Sequence, residues 1–484
     1  VPFVATHHRL ISGLGLLINS FLFADSPTHL SELVGSLLAI IVGKIYFQGS
    51  RGAVRKELFS HGLFPDFFSL CEGAKEFFLR DAEALVKRAK RIRKRLRTGY
   101  ERKDEILPVF AEREAGACDS YEEKRVGKRF FKNIDGIKFL SHEGGCGGTR
   151  EDSTTLCQLL AGYINHPNVA GATVLSLGCQ NAQVSILRKA LSKLNPNFDK
   201  PLYVFDQQEE GSEKKMLEQA IKSTFAGLVE ANKLERQPAP LNKLTIGLKC
   251  GGSDGFSGIS ANPSIGYTSD MIVALGGKTI LAEFPELCGV EQDIINRCIE
   301  SSDAEKFLTL MKAFEKQVID SGSSFDMNPS PGNIKDGLIT DAMKSAGAAR
   351  KAGAAPIAGV LNYTEPAVMP GLNLLCTPGN DVEATTGMAG SGAQIILFTT
   401  GLGTPTGNPV AQTLKIASNT VLWNKMNDIL DVNTGTIISG EESISSKGEE
   451  IVEMIIKTAS GEYIPKAVGL GQDDFIPWKR AVSL

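Results

Sequence analysis

The chain is poor in the groups that most often build sites. Only six histidines occur in 484 residues, and of these only His142 and His166 lie beyond residue 61. There is no Cys-x-x-Cys pair and no zinc-like Cys/His spacing. The nine cysteines (71, 118, 146, 157, 179, 250, 288, 298 and 376) are scattered without paired spacing, which is unlike a disulfide framework and fits a reducing, cytoplasmic setting. Apolar stretches at 10–23 and 33–45 are broken by polar residues or glycine; both fall short of the roughly 18–20 residues that span a bilayer and read as buried helices. A net charge of −3 leaves no electrostatic footprint for nucleic acid or a membrane surface. The basic run KRAKRIRKRLR at 87–97 reads as a solvated helical arm. A complete dinucleotide fingerprint is also missing: in GLGTPTGNP, Thr406 takes the place of the third glycine, and Pro405 and Pro409 interrupt the helix start. No NAD is therefore expected.

What is present is an ordinary globular composition, 42% hydrophobic and 22% charged, over a length that suits two or three domains. The densest polar chemistry falls in residues 244–292. An apolar run at 244–248 predicts a strand, and KCGGSDGFSGISANP is a loop too rich in Gly and Ser to pack. Asn262 and Pro263 mark a helix start, Gly276 and Gly277 its end, and 278–283 the next strand. In open α/β sheets ligands sit at the carboxyl ends of strands, which is where this loop falls. Cys250, Ser253, Asp254, Ser257, Ser260 and Asn262 crowd it, among glycines that let a ligand approach the backbone. A flexible surface loop would share that composition.

The plan recurs on both sides. Residues 136–140 predict a short strand leading into SHEGGCGGTREDS, which sets His142, Cys146 and Arg150 on one glycine-rich loop: a base, a soft ligand and an anion-binding guanidinium. A helix at 156–163 and a buried strand at 173–177 follow, delivering Cys179, Gln180 and Asn181 to another helix start. Unpaired N–H groups and a positive dipole end can hold a carboxylate there. A strand at 200–205 and a long helix at 213–232 lead to the linker Gln237, Pro238, Ala239, Pro240. Beyond it, Glu283, Glu286 and Glu291 crowd a strand end and turn, able to hold a divalent cation or to supply an acid and a base. The strand 372–376 feeds Asn380, Asp381 and Glu383 before a helix, and 394–400 feeds GLGTPTGNP. The fold class read from this is α/β. It comprises a C-terminal domain at 241–484 with a Rossmann-like, mostly parallel sheet, a second α/β domain at 98–236, and an atypical, helical N-terminal region at 1–97.

Several strings resemble a known family. CGGSDGFSGISANP followed by EFPELCGVEQ, with VLSLGCQNAQ, FDMNPSPGNIKDG and the ending GQDDFIPWKRAVSL, is similar to the altronate/galactarate dehydratases, lyases that remove water from sugar acids. The likeness runs from about residue 133 to the end; the small β-rich amino-terminal module usual in that family is not discernible in the first hundred residues. The resemblance implies a sugar-acid hydro-lyase working by metal-assisted α-proton abstraction and β-hydroxide loss, with ferrous or manganous ion as cofactor and altronate favoured over galactarate. A homodimer without nucleic-acid or membrane partners is expected. His142, Asp254 and Glu283 are expected near the metal or the transferred protons, with Cys146 beside them. Arg150, Cys179 and the turn to Asn181 are expected at the substrate carboxylate, and Ser253, Asn262, Asn380 and Asp381 at its hydroxyls. Other readings stay open: an oxidoreductase, an iron–sulfur dehydratase using Cys146, Cys179 and Cys250, and a non-catalytic sugar-acid-binding remnant. The lyase reading requires glycine-flexed loops, far apart in sequence, to meet in space.

Overall fold

A computed structural model describes residues 131–483; the helices expected at 10–23 and 33–45, the basic arm at 87–97 and the rest of the N-terminal region lie outside the described residues. Helix α1 (Arg150–Asn165) starts where Thr149 caps the Asp152 N–H at 3.1 Å, with Glu151 and Asp152 complementing the helix dipole in the first turn. It leads into β1 (Ala172–Ser176), helix α2 (Val184–Leu194) and β2 (Leu202–Asp206), which pairs in parallel with β1, and then α3 (Glu213–Ala231). Leu187 and Leu191, one turn apart on α2, pack against Cys157, Ala161 and Ile164 of α1. The strand expected at 136–140 is not formed. Lys138 of that segment reaches Asp473 at 2.6 Å.

The larger sheet follows: β3 (Thr245–Cys250), α4 (Ala261–Ala274), β4 (Lys278–Leu281), α5 (Ser301–Asp320), α6 (Asp341–Ala349), β5 (Ile357–Leu361), β6 (Gly371–Leu375), α7 (Asp381–Gly390), β7 (Ile395–Thr400), β8 (Gln412–Ala417), β9 (Val432–Asn433) and α8 (Ile444–Ser460). Its seven strands are all parallel, in the order β5-β6-β4-β3-β7-β8-β9. This is the α/β architecture read from the sequence. Helices cover both faces, so the strands read as nearly continuous apolar runs, and β3, β6 and β7 are buried throughout. On one face Ile246, Leu248 and Leu397 pack with Ile265 of α4, Phe307 of α5 and Ile451 of α8. On the other, Ile280, Leu375 and Ile396 pack with Met388 of α7 and with Leu159 and Tyr163 of α1. Helix α1 thus belongs to both cores. A Cβ on Gly162 would lie 2.2 Å from the Gly390 carbonyl, so α1 and α7 meet backbone to backbone.

Helix α4 begins at Ala261, with Asn262 inside it rather than capping it. Its buried hydroxyls bond within the helix, Ser264 to the Ser260 carbonyl at 2.8 Å and Thr268 to that of Ser264 at 3.0 Å. Such bonding satisfies the polar groups of a helix enclosed on all sides. The chain leaves β3 toward β4 and leaves β7 in the opposite direction, toward β8. The loops therefore part between β3 and β7, the switch point where α/β sheets place their ligands. Among the described residues, no helix is long and apolar enough to cross a membrane.

His166 closes α1 and is 1% exposed. Its Nδ1 accepts from the Asn168 N–H at 3.1 Å, so Nε2 carries the proton given to the Ala393 carbonyl at 2.9 Å, and the ring is neutral. Burial, reinforced by the Lys200 ammonium, lowers its pKa from 6.5 to about 4. The folded pKa lies below the unfolded one, so this contribution to stability is complete above pH 6.5 and is lost as pH falls toward 4. Urea unfolding at pH 7.5 and 4.5 should show a loss that a His166→Asn variant lessens by roughly 2–3 kcal/mol. Equal losses in both proteins would remove His166 as the cause.

Candidate active site

At the carboxyl edge of the large sheet lies a closed network of charged side chains. Lys249, on β3, is 1% exposed, and its ammonium sits 2.6 Å from Glu283 Oε1 and 2.7 Å from Asp381 Oδ1. The next residue, Cys250, points to the opposite face. There Lys351 Nζ donates to its Sγ at 2.8 Å and to Glu286 Oε2 at 3.2 Å, and stands 3.7 Å from Glu283 Oε2. Lys344 reaches Glu286 Oε1 at 3.5 Å. The strands β3, β4 and β6 are neighbours, and this adjacency brings together Lys249, Glu283 just beyond β4, and Asp381 at the start of α7. Asn380 caps α7 by accepting from the N–H groups of Val382 and Glu383, both at 3.1 Å, which fixes the position of Asp381. Gly251 is required beneath it, since a Cβ there would lie 2.4 Å from Asp381 Oδ1.

Glu283 is unusual in three respects. Its backbone is left-handed (φ 71°), which is costly for a residue with a Cβ, and its N–H is tied to Thr377 Oγ1 at 3.0 Å. It is 1% exposed, and its Oε2 accepts no hydrogen bond. Burial and then the nearby Glu286 raise its pKa against the pull of Lys249 and Lys351. Glu286 is buried as well, but Lys351, Lys249 and Lys344 more than offset that burial and hold it ionised. The two carboxylates titrate as a pair, and Glu283 is the one that takes up a proton first as pH falls. Burial alone would strip Lys249 of its proton; Glu283, Asp381 and Glu286 reverse the effect and keep it an ammonium, as Cys250, Glu286 and Glu283 do for Lys351. Burial pushes the Cys250 thiol up. Cys250, Glu283 and Glu286 offer ligand atoms within 4.8 Å of one another and could hold a metal ion.

Asp254 stands apart from these cations. Its carboxylate is 5% exposed and accepts from Ser257 Oγ at 2.7 Å, Ser418 Oγ at 2.8 Å and Asn419 Nδ2 at 2.9 Å, fastening together the loops after β3 and β8. Asn262 spans Thr399 Oγ1 at 2.6 Å and the Gly347 carbonyl at 3.0 Å. Ser253 lines a cavity of about 10 Å³ with Cys250, Asn262 and Lys344, room for a single water. A second group gathers at the end of the small sheet. Asn181 Nδ2 donates to the carbonyls of Cys146 and Gly148 at 2.8 and 3.0 Å, so the His142 loop and the Cys179 turn do meet. His142, Cys146 and Cys179 are exposed there. His142 Nδ1 accepts from the Gly144 N–H at 3.3 Å, and packing around the ring lowers its pKa although its surface is open to solvent. No hydrogen bond or ion pair directly joins this group to the lysine–glutamate network. Cys146 and Cys179 therefore do not share a thiol cluster with Cys250. Arg150 is exposed at the start of α1, beside a cleft.

Sequence reasoning singled out Cys250, Glu283, Glu286 and Asp381 but missed Lys249, Lys351 and Lys344. A lysine inside a fully buried strand, as in TIGLKC, is the signal that could have found the first. Lys415 carries the same signal in QTLKIA. It is 1% exposed, and burial lowers its pKa to about 7. Its Nζ has no hydrogen-bond partner and lies 3.4 Å from the Phe398 ring centre, with Lys249 Nζ 5.6 Å from the same ring.

Two family models match this chain: the C-terminal region of D-galactarate/altronate dehydratase over residues 241–483, and the second domain of D-galactarate dehydratase/altronate hydrolase over residues 83–232. The altronate dehydratase of Escherichia coli is 36% identical over 363 residues, covering 74% of this chain and 70% of the relative. That of Bacillus subtilis is 37% identical over 335 residues, 68% of this chain and 65% of the relative. The galactarate dehydratase (L-threo-forming) of Escherichia coli is 31% identical over 300 residues, 61% and 57% of the two chains.

The network makes its own test. Lys249→Met leaves Glu283 and Asp381 without their ammonium, and should lower stability by about 3–5 kcal/mol, the usual cost of breaking a buried ion pair from one side. Adding Glu283→Gln should recover part of that loss, a coupling measurable by a denaturation cycle over the two single variants and the pair. Strict additivity would mean that the two groups do not depend on each other.

Proposed function

We propose that this chain, which belongs to the D-galactarate/altronate dehydratase family, is the dehydratase that converts D-altronate to 2-dehydro-3-deoxy-D-gluconate, with galactarate as the alternative substrate. Its relatives make it a hydro-lyase. The preference for altronate follows the identities, 36% and 37% to two altronate dehydratases against 31% to a galactarate dehydratase.

The observation that carries the mechanism is Glu283: buried, left-handed, flanked by two ammonium groups and with one carboxylate oxygen free of hydrogen bonds. Removing the C–H beside a carboxylate drives negative charge onto that carboxylate, and the neighbouring hydroxyl leaves readily only with a proton. Glu283, ionised, takes the α-proton at Oε2 and returns it to the departing hydroxyl, which leaves as water; the network is enclosed in this structure, so it must open to admit the acid. Lys249 and Lys351 face the developing charge from a region closed to water, where a fixed ammonium acts more strongly than in bulk solvent. Asp381 and Glu286 hold those two lysines in place.

The carboxylates of Glu283 and Glu286 suit a hard divalent cation and a deprotonated Cys250 would add a softer ligand, so these three residues would hold the cation that the resemblance implies. Such an ion would polarise the substrate's carboxylate and adjacent hydroxyl. Lys351 contacts Cys250 and Glu286 from among those donors, and it would release them for all three to coordinate together.

The test is formation of 2-keto-3-deoxy acid from altronate and from galactarate, with ferrous or manganous ion added. Glu283→Gln should lower kcat by about 10²–10⁴-fold with the fold retained by circular dichroism. Glu291→Gln, outside the network, should match wild type. A Glu283→Gln enzyme within tenfold of wild type would take Glu283 out of the chemistry, product from neither acid would end the dehydratase reading, and a higher kcat/KM on galactarate would favour the alternative.

A further inference from the structure

Two arginines some 330 positions apart face one open cleft of about 420 Å³. Arg150 is the first residue of α1, and Arg480 belongs to the closing tail; Glu151, Thr154, Gln158 and Asn362 complete the part that matters here. The tail is seated by specific bonds. Asp152, buried in the first turn of α1, accepts the N–H groups of Arg480 and Ala481 at 2.9 and 3.2 Å. Trp478 donates its backbone N–H to Tyr363 Oη at 3.0 Å, and its ring packs edge-on against that of Tyr363.

Arg480 is held the way a guanidinium is held for bidentate recognition. Its plane lies over the Trp478 ring at 4.3 Å, and one terminal nitrogen, Nη2, donates to Asn362 Oδ1 at 2.8 Å. Among the described residues Nη1 makes no hydrogen bond, and Nε is enclosed without a partner. Among the described residues, neither Arg150 nor Arg480 takes part in an ion pair, although Glu151 lines the same cleft. Among the side chains lining the cleft, two guanidinium groups face one carboxylate, while the Asp152 carboxylate is taken up by the N–H groups of the tail.

We infer that this cleft binds a carboxylate, and that Arg480 and Arg150 are its anchors. The inference rests on the sugar-acid reading above and names where that acid is gripped. Asn362 and Tyr363 follow β5, so these two lining residues lie past the same carboxyl edge of the sheet as the lysine–glutamate network. In the strand order β5-β6-β4 the ends of β5 and β4 are two strand spacings apart, or about 10 Å. That separation is comparable with the length of an extended six-carbon acid. The planar fork of arginine matches a carboxylate with two parallel N–H···O bonds, which a lysine cannot do. Sequence reading placed Arg150 at a carboxylate but gave its partner no role; the fold brings the tail to it.

The experiment is steady-state kinetics on altronate and galactarate with full-length wild type, Arg480→Gln, Arg480→Lys and Arg150→Gln, together with calorimetric titration of each protein with both acids. Loss of one charge-assisted bond should raise KM and the dissociation constant roughly tenfold or more, with kcat changed much less. Arg480→Lys should recover little of the loss. Arg150 makes no side-chain bond within the fold, so Arg150→Gln remains informative even if an Arg480 variant unfolds. A rise for both acids assigns the cleft to the carboxylate beside the reacting carbon, and a rise for galactarate alone assigns it to the far carboxylate of a diacid; either supports the inference. Unchanged KM and unchanged binding in Arg150→Gln and a folded Arg480→Gln, with active wild type, would overturn it. Inactive wild type would instead overturn the dehydratase reading, and the titrations would still decide the cleft.

Discussion

The ammonium of Lys249, set between Glu283 and Asp381, is the contact on which the rest of this structure depends. Moving an ion out of water costs several kcal/mol, and a buried charge is tolerated only with its partners in place. Here the partners come from three strand ends, and no shorter segment of chain could supply them. The order β6-β4-β3 is therefore more than a topological detail. It is the condition under which Asp381, Glu283 and Lys249 can satisfy one another. The local irregularities follow from it: the left-handed backbone of Glu283, costing of order 1–3 kcal/mol, turns that carboxylate inward. The bare backbone of Gly251 leaves room for Asp381.

The network also joins the two faces of a sheet that would otherwise keep them apart. Successive side chains of a strand point to opposite faces, so Lys249 lies on the side of α1 and α7, and Cys250 on the side of α4 and α6. Glu283 lies past the end of β4 and is free of that alternation. One of its oxygens meets Lys249 and the other approaches Lys351. A single carboxylate can reach both faces only from beyond the sheet's edge. This explains in physical terms why the chemistry gathers at strand ends rather than within the strands.

Much of this was legible in the residues, and the failures have definite causes. The glycine-rich loop after β3 and the carboxylates at 283, 286 and 381 stood out because they break an apolar pattern. The α/β class followed from strands that read as buried runs separated by helices. The lysines were missed because a lysine is ordinarily read as surface, whereas in TIGLKC and QTLKIA every position but the glutamine is buried. Residues 136–140 were expected to be a strand because their composition suits one, but composition does not supply the hydrogen-bonded partner a strand needs, and the segment is irregular. Asp254 and Asn262 were read as site residues from their loop alone, whereas their bonds run to Ser418, Asn419, Thr399 and Gly347, partners over 80 positions away that only the fold supplies.

Lys415 shows that partners, rather than burial, set the charge of this region. It occupies the same row of the sheet as Lys249, with Phe398 between them, and both are 1% exposed. Yet Lys249 is held firmly as an ammonium while Lys415 is brought to about 7. The carboxylates that help Lys415 are already spent: Asp381, the strongest of them, is paired with Lys249, and Asp431 is taken up by other donors. Asp431 gives one oxygen to the backbone N–H of Lys415 itself, and the other to the Tyr463 hydroxyl and the Lys466 N–H. The face of Phe398 attracts a cation, by about 2 kcal/mol when desolvated, which is too little to replace a carboxylate. Two lysines one strand apart on either side of a ring thus differ in proton affinity because one strand end carries two carboxylates and the other carries none to spare. The edge of the sheet that holds a permanent cation at Lys249 therefore has, within the same row, an amine that exchanges its proton near neutral pH.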